Sequence, residues 1–140
     1  MLIFGDGQPA YSPQFTYSTP YKMRRHSVKN AHYGTRLADT VSDGRRYPQS
    51  VIFCNSKNGG NIHPTQKPEE LVEYLIRTYS NAGDVILDPF AGSGTTAVAA
   101  INSDRSFIGW ERDEGYYNAA VKRIETAKIT KAETLPIDYD

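Results

Sequence analysis

The residues best suited to chemistry lie in a glycine-rich turn and at one acidic position after it. Gly92, Gly94 and Ala97 follow the pattern Gly-x-Gly-x-x-Ala between a predicted strand and a predicted helix. Glycines let a ligand approach main-chain N–H groups, which at a helix N-terminus attract an anion. Glu111 lies twenty-three residues after Asp88, where a carboxylate can accept hydrogen bonds from both hydroxyls of a ribose. The pattern therefore favours a bound nucleoside-like ligand over an empty tight turn.

Asp88 narrows the chemistry of that ligand. No glycine immediately precedes Asp88 in the turn, and its negative charge would repel a pyrophosphate, which argues against a dinucleotide. A carboxylate here suits a ligand with a cationic amino or sulfonium group. S-adenosylmethionine has both charges, so its carboxylate fits the helix N-terminus, its cationic end faces Asp88 and its ribose reaches Glu111. We expect this cofactor, and tighter binding of a nicotinamide dinucleotide would contradict it.

The second half of the chain has the regular pattern needed to position these residues. Pro68 suits the first turn of a helix, and Asn81–Gly83 is expected to end it. Val85–Leu87 is a wholly apolar run, which predicts a strand covered on both faces. The apolar side chains of this first helix share one face at helical spacing: Leu71, Val72, Leu75, Ile76 and Tyr79.

A second helix and strand follow the glycine-rich turn. The pattern predicts a helix opening at Thr95–Ala100, a strand over Ser106–Gly109 and a third helix capped by Asp113. The third helix repeats apolar residues at i, i+3, i+4 and i+7, namely Tyr117, Ala120, Val121 and Ile124. The order helix–strand–helix–strand–helix indicates an α/β fold with a parallel strand pair.

The first part of the chain is different in composition. Residues 5–62 are rich in Gly, Pro, Ser, Asn and Tyr, and only Leu2–Phe4 and Val51–Phe53 resemble short strands. Residues 1–62 contain eight Lys/Arg and three Asp/Glu, a net charge of +5, whereas residues 63–140 contain eight and thirteen, a net charge of −5. This charge asymmetry fits either a polyanion that binds the first part or two solvated surfaces of opposite net charge.

Several cations of the first part stand beside aromatic residues. Their side chains can neutralise phosphates or read guanine in the major groove, and the neighbouring tyrosines can stack on bases or pack the loop. Replacing Arg24 and Arg25 by alanine should reduce the salt dependence of DNA binding. The candidate DNA-contacting residues are Lys22, Arg24, Arg25, Arg45 and Arg46.

Three motifs together resemble the N4-cytosine/N6-adenine DNA methyltransferases. His63–Pro68 resembles the family's motif before the first strand, Asp88–Thr96 its cofactor motif, and Phe107–Glu111 with the following helix its acidic strand end. The resemblance covers residues 63 to about 127 and fits the permuted class, in which the catalytic half comes first. It places residues 5–62 in the target-recognition region, which favours double-stranded DNA as partner. Trp110 departs from the family's usual small aliphatic residue, and we expect it to pack beside the adenine pocket.

The resemblance implies a partial Rossmann-like methyltransferase fold. Its implied domains are 1–62, a late strand with an irregular recognition region; 63–128, the cofactor-binding half; and 129–140, a polar tail. The residues it places around S-adenosylmethionine are Thr65, Gln66, Lys67, Asp88, Pro89, Phe90, Ala91, Gly92, Ser93, Gly94, Thr95, Thr96 and Glu111.

The family's catalytic motif has no counterpart in this sequence. That motif places an Asp, Asn or Ser before Pro-Pro and an aromatic residue, and no Pro-Pro pair occurs here. We therefore expect no catalytic residue in this chain, which would be the C-terminal portion of such an enzyme: a truncated gene, a split subunit or a partial protein. The missing strands would leave Val85–Leu87 with an unpaired edge, open to a complementing N-terminal half or to self-association.

Three functional classes remain open. The chain is a fragment of an amino-group DNA methyltransferase, a non-catalytic DNA-binding or regulatory module that retains cofactor affinity, or a nicotinamide-binding Rossmann protein. Adenine is the favoured target, although the residue that separates adenine from cytosine is absent.

The remaining sequence features point to an ordinary intracellular protein. The single cysteine, Cys54, excludes an internal disulfide and is expected to be an apolar filler. His63 has no partner at metal-ligand spacing and is expected to make a hydrogen bond at the start of a helix. No apolar run is long enough to span a membrane, so a cytoplasmic location is expected.

Overall fold

The computed structural model describes residues 8–23, 39–54 and 63–134. They divide into two compact units, one formed by Pro13–Ile52 and the other by the described residues before and after that segment. The candidates Arg24 and Arg25 and the predicted strand Leu2–Phe4 lie outside the described residues.

The described residues of the unit 13–52, which are 13–23 and 39–52, form four short strands. They form two antiparallel pairs, β1 with β4 and β2 with β3. The strands are β1 (Thr16–Tyr17), β2 (Tyr21–Met23), β3 (Thr40–Ser42) and β4 (Arg45–Arg46). None of these four strands was recognised from the sequence, which predicts only Leu2–Phe4 and Val51–Phe53 as strands before residue 63. Short strands that alternate with turn residues carry too weak a periodicity to be recognised along the sequence.

A bulge separates the two strand pairs. Tyr17 pairs with Arg45 and Tyr21 with Ser42, so three residues on one side oppose two on the other. Gly44 lies at this point with a φ of +87°, and a Cβ atom there would meet the Ser18 carbonyl oxygen at 2.0 Å. Glycine is therefore required in the segment that joins β3 to β4.

The other unit is an α/β arrangement, as the sequence predicts. Helices α1 (Glu69–Tyr79), α2 (Thr95–Asn102) and α3 (Glu114–Thr134) alternate with strands β5 (Val85–Asp88) and β6 (Ser106–Gly109). β5 and β6 pair in parallel, with Val85 opposite Ser106 and Asp88 opposite Gly109. Both strands therefore end at the same edge of the sheet, beside the glycine-rich turn.

The core of this unit lies on one face of the sheet. Ile76 of α1 packs against Ala99 and Ala100 of α2, and Ile86 and Phe107 reach this cluster from the strands. Ala99 and Ala100 have no exposed surface, because small side chains let the two helices approach closely.

The opposite face of the sheet is open, which corrects one prediction. Val85 is 57% exposed, Leu87 62% and Ile108 49%. Within the part of the chain that the structure describes, the strand Val85–Leu87 is therefore covered on one face and not on both. An apolar run shows that a strand can be buried, whereas the packed elements decide which face is buried.

Two further predictions are corrected. Val51–Phe53 is not a strand: Phe53 is 91% exposed and the segment pairs with no strand among the described residues. Cys54 follows it, half-buried, and is not a filler on a strand. α3 continues to Thr134, so residues 129–134 are helical and not a polar tail. Lys131 anchors this last part of the helix by donating hydrogen bonds to the Ile101 carbonyl and the Asp104 carboxylate.

Candidate functional site

The glycine-rich turn joins β5 to α2 and needs a left-handed backbone at two positions. Gly92 has a φ of +53° and Gly94 a φ of +75°. Gly94 is the N-cap of α2, and its N–H donates to the Ala91 carbonyl at 2.9 Å. A Cβ atom at Gly94 would lie 3.0 Å from the Cβ of Ala120, so this glycine also lets α3 pack against the turn. Residues without a side chain are thus needed both for conformation and for space.

Asp88 braces this turn from the end of β5. Its Oδ1 accepts the Phe90 N–H at 3.0 Å, and its Oδ2 accepts the Thr96 hydroxyl at 2.6 Å. Both oxygens therefore hold the turn itself, and each keeps a second lone pair for a ligand. The side chain of Phe90, two residues after Asp88, lies at the surface of the turn, where the residue is 87% exposed.

Glu111 meets the turn directly. Its Oε2 accepts the Gly92 N–H at 2.8 Å and its Oε1 accepts the Asp113 N–H at 2.8 Å. These hydrogen bonds, from Asp113 first and Gly92 second, hold the pKa of the Glu111 carboxyl below its usual value. Glu111 is therefore an ionised acceptor placed against the glycine-rich turn, as its position in the sequence suggests.

Trp110 lies between the two strand ends. Its N–H donates to the Asp88 carbonyl at 3.2 Å and its carbonyl accepts the Ala91 N–H at 2.9 Å. These main-chain bonds join the end of β6 to the turn after β5. The indole is 59% exposed, so it remains accessible beside the turn.

The segment before α1 also lies near the turn. A Cβ atom at Gly92 would be 3.8 Å from the His63 ring, which in turn packs against the Tyr116 ring at an interplanar angle of 58° and a centroid distance of 4.4 Å. The Nδ1 of His63 accepts the Thr65 N–H at 3.2 Å, and the Lys67 ammonium donates to the Thr65 carbonyl at 3.2 Å. His63 thus makes a hydrogen bond as expected, but in the turn before α1 and not at the start of the helix, which begins at Glu69.

The structure thus brings several predicted cofactor-binding residues together. Gly92 contacts Glu111, Asp88 contacts Phe90 and Thr96, and the ring of His63, which accepts the Thr65 N–H, lies near Gly92. Their assignment to a cofactor remains a prediction. A separate groove of about 500 Å³ is lined by residues of all three helices and by none of these predicted residues.

Sequence reasoning missed Arg123 of α3. Its guanidinium donates to the Ser93 carbonyl and pairs with the Glu69 carboxylate. The available signal was its spacing: Arg123 follows the buried Ala120 by three residues, so it lies on the packed face of the helix. A cation on such a face needs an acceptor.

The described cations of the unit of residues 13–52 lie on its strands. Arg45 stands 4.6 Å over the Phe15 ring and 3.8 Å from the Asp43 carboxylate. Arg46 donates to the Ser18 hydroxyl at 3.0 Å and stands 5.9 Å over the Tyr21 ring. Together with Lys22 these side chains are exposed. The predicted mixture of cations and aromatic rings is therefore present on this unit.

In residues 8–23, 39–54 and 63–134, no three His, Cys, Asp or Glu side chains come together as a metal site. None of the three described helices combines the length and the apolar character that a membrane span requires.

Known proteins resemble this chain over most of its length. Residues 11–122 match the N6/N4 family of DNA methylases. The DNA adenine methyltransferase YhdJ of Escherichia coli (strain K12) is 49% identical over 73 residues, which are 52% of this chain and 25% of that protein. The type II methyltransferase M2.DpnII of Streptococcus pneumoniae is 39% identical over 123 residues, 83% of this chain and 46% of that protein.

The fold has a counterpart among solved structures. The crystal structure of the M1.HpyAVI–SAM complex superposes with a TM-score of 0.52 at 29% identity, covering 79% of this chain and 63% of that one. The chain thus spans a quarter to about half of the length of the two relatives named above. Because the family match covers far more than half of its residues, the chain belongs to the N6/N4 DNA methylase family.

Proposed function

We propose that this chain is the cofactor-binding and DNA-contacting portion of an S-adenosylmethionine-dependent DNA methyltransferase that acts on the N6 amine of adenine. The observation that carries the proposal is the hydrogen bond from the Gly92 N–H to Glu111, which unites the glycine-rich turn and the acidic strand end. Family membership supports it, as does the cofactor complex of the structural relative. We propose adenine as the target base because the relative YhdJ is a DNA adenine methyltransferase.

The residues present fit this cofactor. Each Glu111 oxygen accepts one N–H group and keeps a lone pair for a ribose hydroxyl. The N-terminus of α2 suits the cofactor's carboxylate, and Asp88 suits its cationic end. The proposed cofactor site also includes the segment before α1, with Thr65, Gln66 and Lys67. Bound S-adenosylmethionine supplies an electrophilic methyl group on its sulfonium, and the chain's residues orient it.

Calorimetry can test cofactor binding. We expect the chain to bind S-adenosylhomocysteine more tightly than NAD⁺, and Glu111→Gln to weaken that binding about tenfold, because a charge-assisted hydrogen bond is lost. Glu114→Gln removes an exposed carboxylate three residues further along the chain, at the start of α3, and serves as the control. Tighter binding of NAD⁺, or equal effects of the two substitutions, would contradict the proposed site.

The unit of residues 13–52 is the proposed DNA-contacting surface. Arg45 and Arg46 are adjacent, exposed and held beside aromatic rings, an arrangement suited to phosphate and base contacts. Arg46→Ala should lower the slope of log K against log salt by about one unit. Arg77→Ala, which removes an exposed arginine paired with Glu73 on α1, is the control and should leave the slope unchanged. Equal slopes for all three proteins would remove Arg46 from the interface.

Methyl transfer is proposed to require a further polypeptide portion. The amine of a flipped base must be oriented toward the methyl group, and the sequence has no Pro-Pro motif to do so. The exposed apolar face of Val85, Leu87 and Ile108 supports a complementing N-terminal half that packs there. Self-association is the alternative use of this face. Location in the cytoplasm stays a prediction.

A complementation assay separates an enzyme portion from a regulatory module. Transfer of label from S-[methyl-³H]adenosylmethionine to adenine-containing duplex DNA is measured with the chain alone and with an added N-terminal half of a relative. We expect transfer in the mixture only. Cofactor and DNA binding without transfer in either case would favour a non-catalytic module.

A further inference from the structure

Arg123 joins three elements around the candidate cofactor site. It lies on α3, and its side chain is only 17% exposed. One guanidinium nitrogen donates to the Ser93 carbonyl and lies 3.5 Å from the Thr95 hydroxyl. A second nitrogen pairs with the carboxylate of Glu69, the first residue of α1. One cation thus contacts the glycine-rich turn and the start of a different helix.

The contact with Ser93 controls the orientation of the turn. In a trans peptide the C=O and the following N–H point in opposite directions. A guanidinium that holds the Ser93 carbonyl toward α3 therefore turns the Gly94 N–H toward the Ala91 carbonyl, where it donates at 2.9 Å. Gly94 has the broad backbone freedom of glycine, so this peptide plane needs an external restraint.

The contact with Glu69 extends the restraint to a second segment. Glu69 follows Pro68 directly, and the Thr65–Lys67 segment precedes them. The start of α1 has no side-chain cap, so its position depends on partners outside the helix. Arg123 supplies one such partner. The Thr65–Lys67 segment and the glycine-rich turn are therefore linked through the Arg123–Glu69 pair.

We infer that Arg123 is a positioning residue for the cofactor site, which sets the glycine-rich turn and the Thr65–Lys67 segment at the spacing that one ligand needs to contact both. The inference rests on the proposed function for the identity of the ligand. Arg123 does not contact the cofactor in this arrangement, because its donors are directed to Ser93, Thr95 and Glu69.

The geometry requires arginine. A guanidinium has donors in a planar fork and can serve a carbonyl and a carboxylate together, whereas a lysine ammonium is a point charge on a flexible stem. Lysine at position 123 would keep the positive charge and reach one acceptor at a time. Glu69→Gln keeps the Ser93 contact and weakens only the link to α1.

Four variants of the chain test this inference: Arg123→Met, Arg123→Lys, Glu69→Gln and the control Lys131→Met. Lys131 is the matched control, because it is a cation of the same helix that also bonds a carbonyl and a carboxylate, those of Ile101 and Asp104, away from the turn. Two measurements are made at a temperature where each variant is folded by circular dichroism. They are the affinity for S-adenosylhomocysteine and the amide exchange of peptides that cover residues 63–68 and 91–96.

We expect Arg123→Met to weaken S-adenosylhomocysteine binding about tenfold or more and to speed exchange in both peptides. The affinities and exchange rates of Arg123→Lys and Glu69→Gln should lie between those of Arg123→Met and those of the parent chain. Lys131→Met should lose thermal stability but keep the parent affinity and exchange. If Arg123→Met does not fold, the same comparison with Arg123→Lys and Glu69→Gln tests the inference.

The inference is overturned if the Arg123 and Glu69 variants bind and exchange as the parent chain does. It is equally overturned if Lys131→Met loses affinity in the same proportion as Arg123→Met, since general loosening of α3 would then explain both. A parent chain that binds no S-adenosylhomocysteine contradicts the proposed function instead, and the exchange comparison still decides whether Arg123 restrains the two segments.

Discussion

At the scale of single residues, the residues of the candidate site are fixed by hydrogen bonds to one another. Asp88 and Glu111 both accept hydrogen bonds from the main chain of the glycine-rich turn. Gly94 adopts a left-handed backbone in contact with Ala120. The turn is therefore preorganised, which lowers the conformational cost of binding a ligand.

Gly94→Ala should destabilise the protein more than Gly83→Ala. Both positions have a positive φ, but a Cβ atom at Gly83 would meet nothing within 4 Å, whereas at Gly94 it would lie 3.0 Å from the Ala120 Cβ. Gly83→Ala adds backbone strain of about 1 kcal/mol, and Gly94→Ala adds the contact, for a loss of about 2 kcal/mol or more. Urea unfolding gives both values. Equal losses would show that Ala120 moves aside freely.

Glu111 should make the stability of the chain depend on pH. Because its pKa is lowered in the folded state, its stabilising contribution is present above the usual value of 4.5 and is lost as pH falls through the folded pKa. The difference in unfolding free energy between the parent and Glu111→Gln should therefore shrink as pH falls from 6 toward 3. Urea titrations across this range measure it, and a constant difference would contradict the role of the ionised carboxylate.

At the scale of elements, local signals decide where the helices begin. Glu69 and Glu70 occupy the first turn of α1 directly after Pro68. At α3 the Asp113 side chain accepts the Tyr116 N–H at 2.9 Å. Both helix starts carry negative charge at the positive end of the helix dipole, which is favourable.

Removing the cap of α3 should shift the stability of the whole α/β unit. Asp113→Ala leaves the Tyr116 N–H without its side-chain acceptor and should cost about 1 kcal/mol, whereas Asp113→Ser keeps a capping oxygen and should cost less. Thermal unfolding followed by circular dichroism compares the two. A serine variant as unstable as the alanine variant would indicate that the charge and not the cap matters.

At the scale of the whole molecule, the sheet of β5 and β6 is covered on one face. Ile86 and Phe107 pack toward α1 and α2, while Leu87 and Ile108 remain exposed on the other face. Exposed apolar side chains that share one face of a sheet mark a surface suited to a further packed element. This asymmetry supports the proposal that a complementing portion packs there.

Truncating two neighbouring residues of β5 should therefore change the unfolding free energy by very different amounts. Ile86→Ala removes side-chain atoms from the packed face and should cost about 2 kcal/mol, whereas Leu87→Ala, at a residue 62% exposed, should change stability by less than about 0.5 kcal/mol. Urea unfolding at low protein concentration compares them. A large loss for Leu87→Ala would show that its face is covered in solution, and sedimentation would then test self-association.

Much of the α/β unit could be predicted from the sequence, because its signals are local. Helical spacing, Asp113 as a cap and the apolar run of β5 each act within a few residues, so element types and several boundaries are confirmed. Glu111 was linked to the glycine-rich turn by its spacing after Asp88 and its place at the end of the next strand, and the parallel pairing of β5 with β6 brings both strand ends to one edge. The family resemblance rests on the same local motifs and is confirmed.

Only the tertiary structure decided which surfaces and contacts these elements use. Val51–Phe53 has strand-like residues but no partner strand among those described, whereas the weakly patterned segments around Gly44 pair across a bulge. The exposure of Leu87 and the reach of Arg123 to Ser93 and Glu69 depend on residues far apart in the chain. Periodicity along a sequence reports a residue's local preference, while burial and hydrogen-bond partners are set by the elements that fold against it.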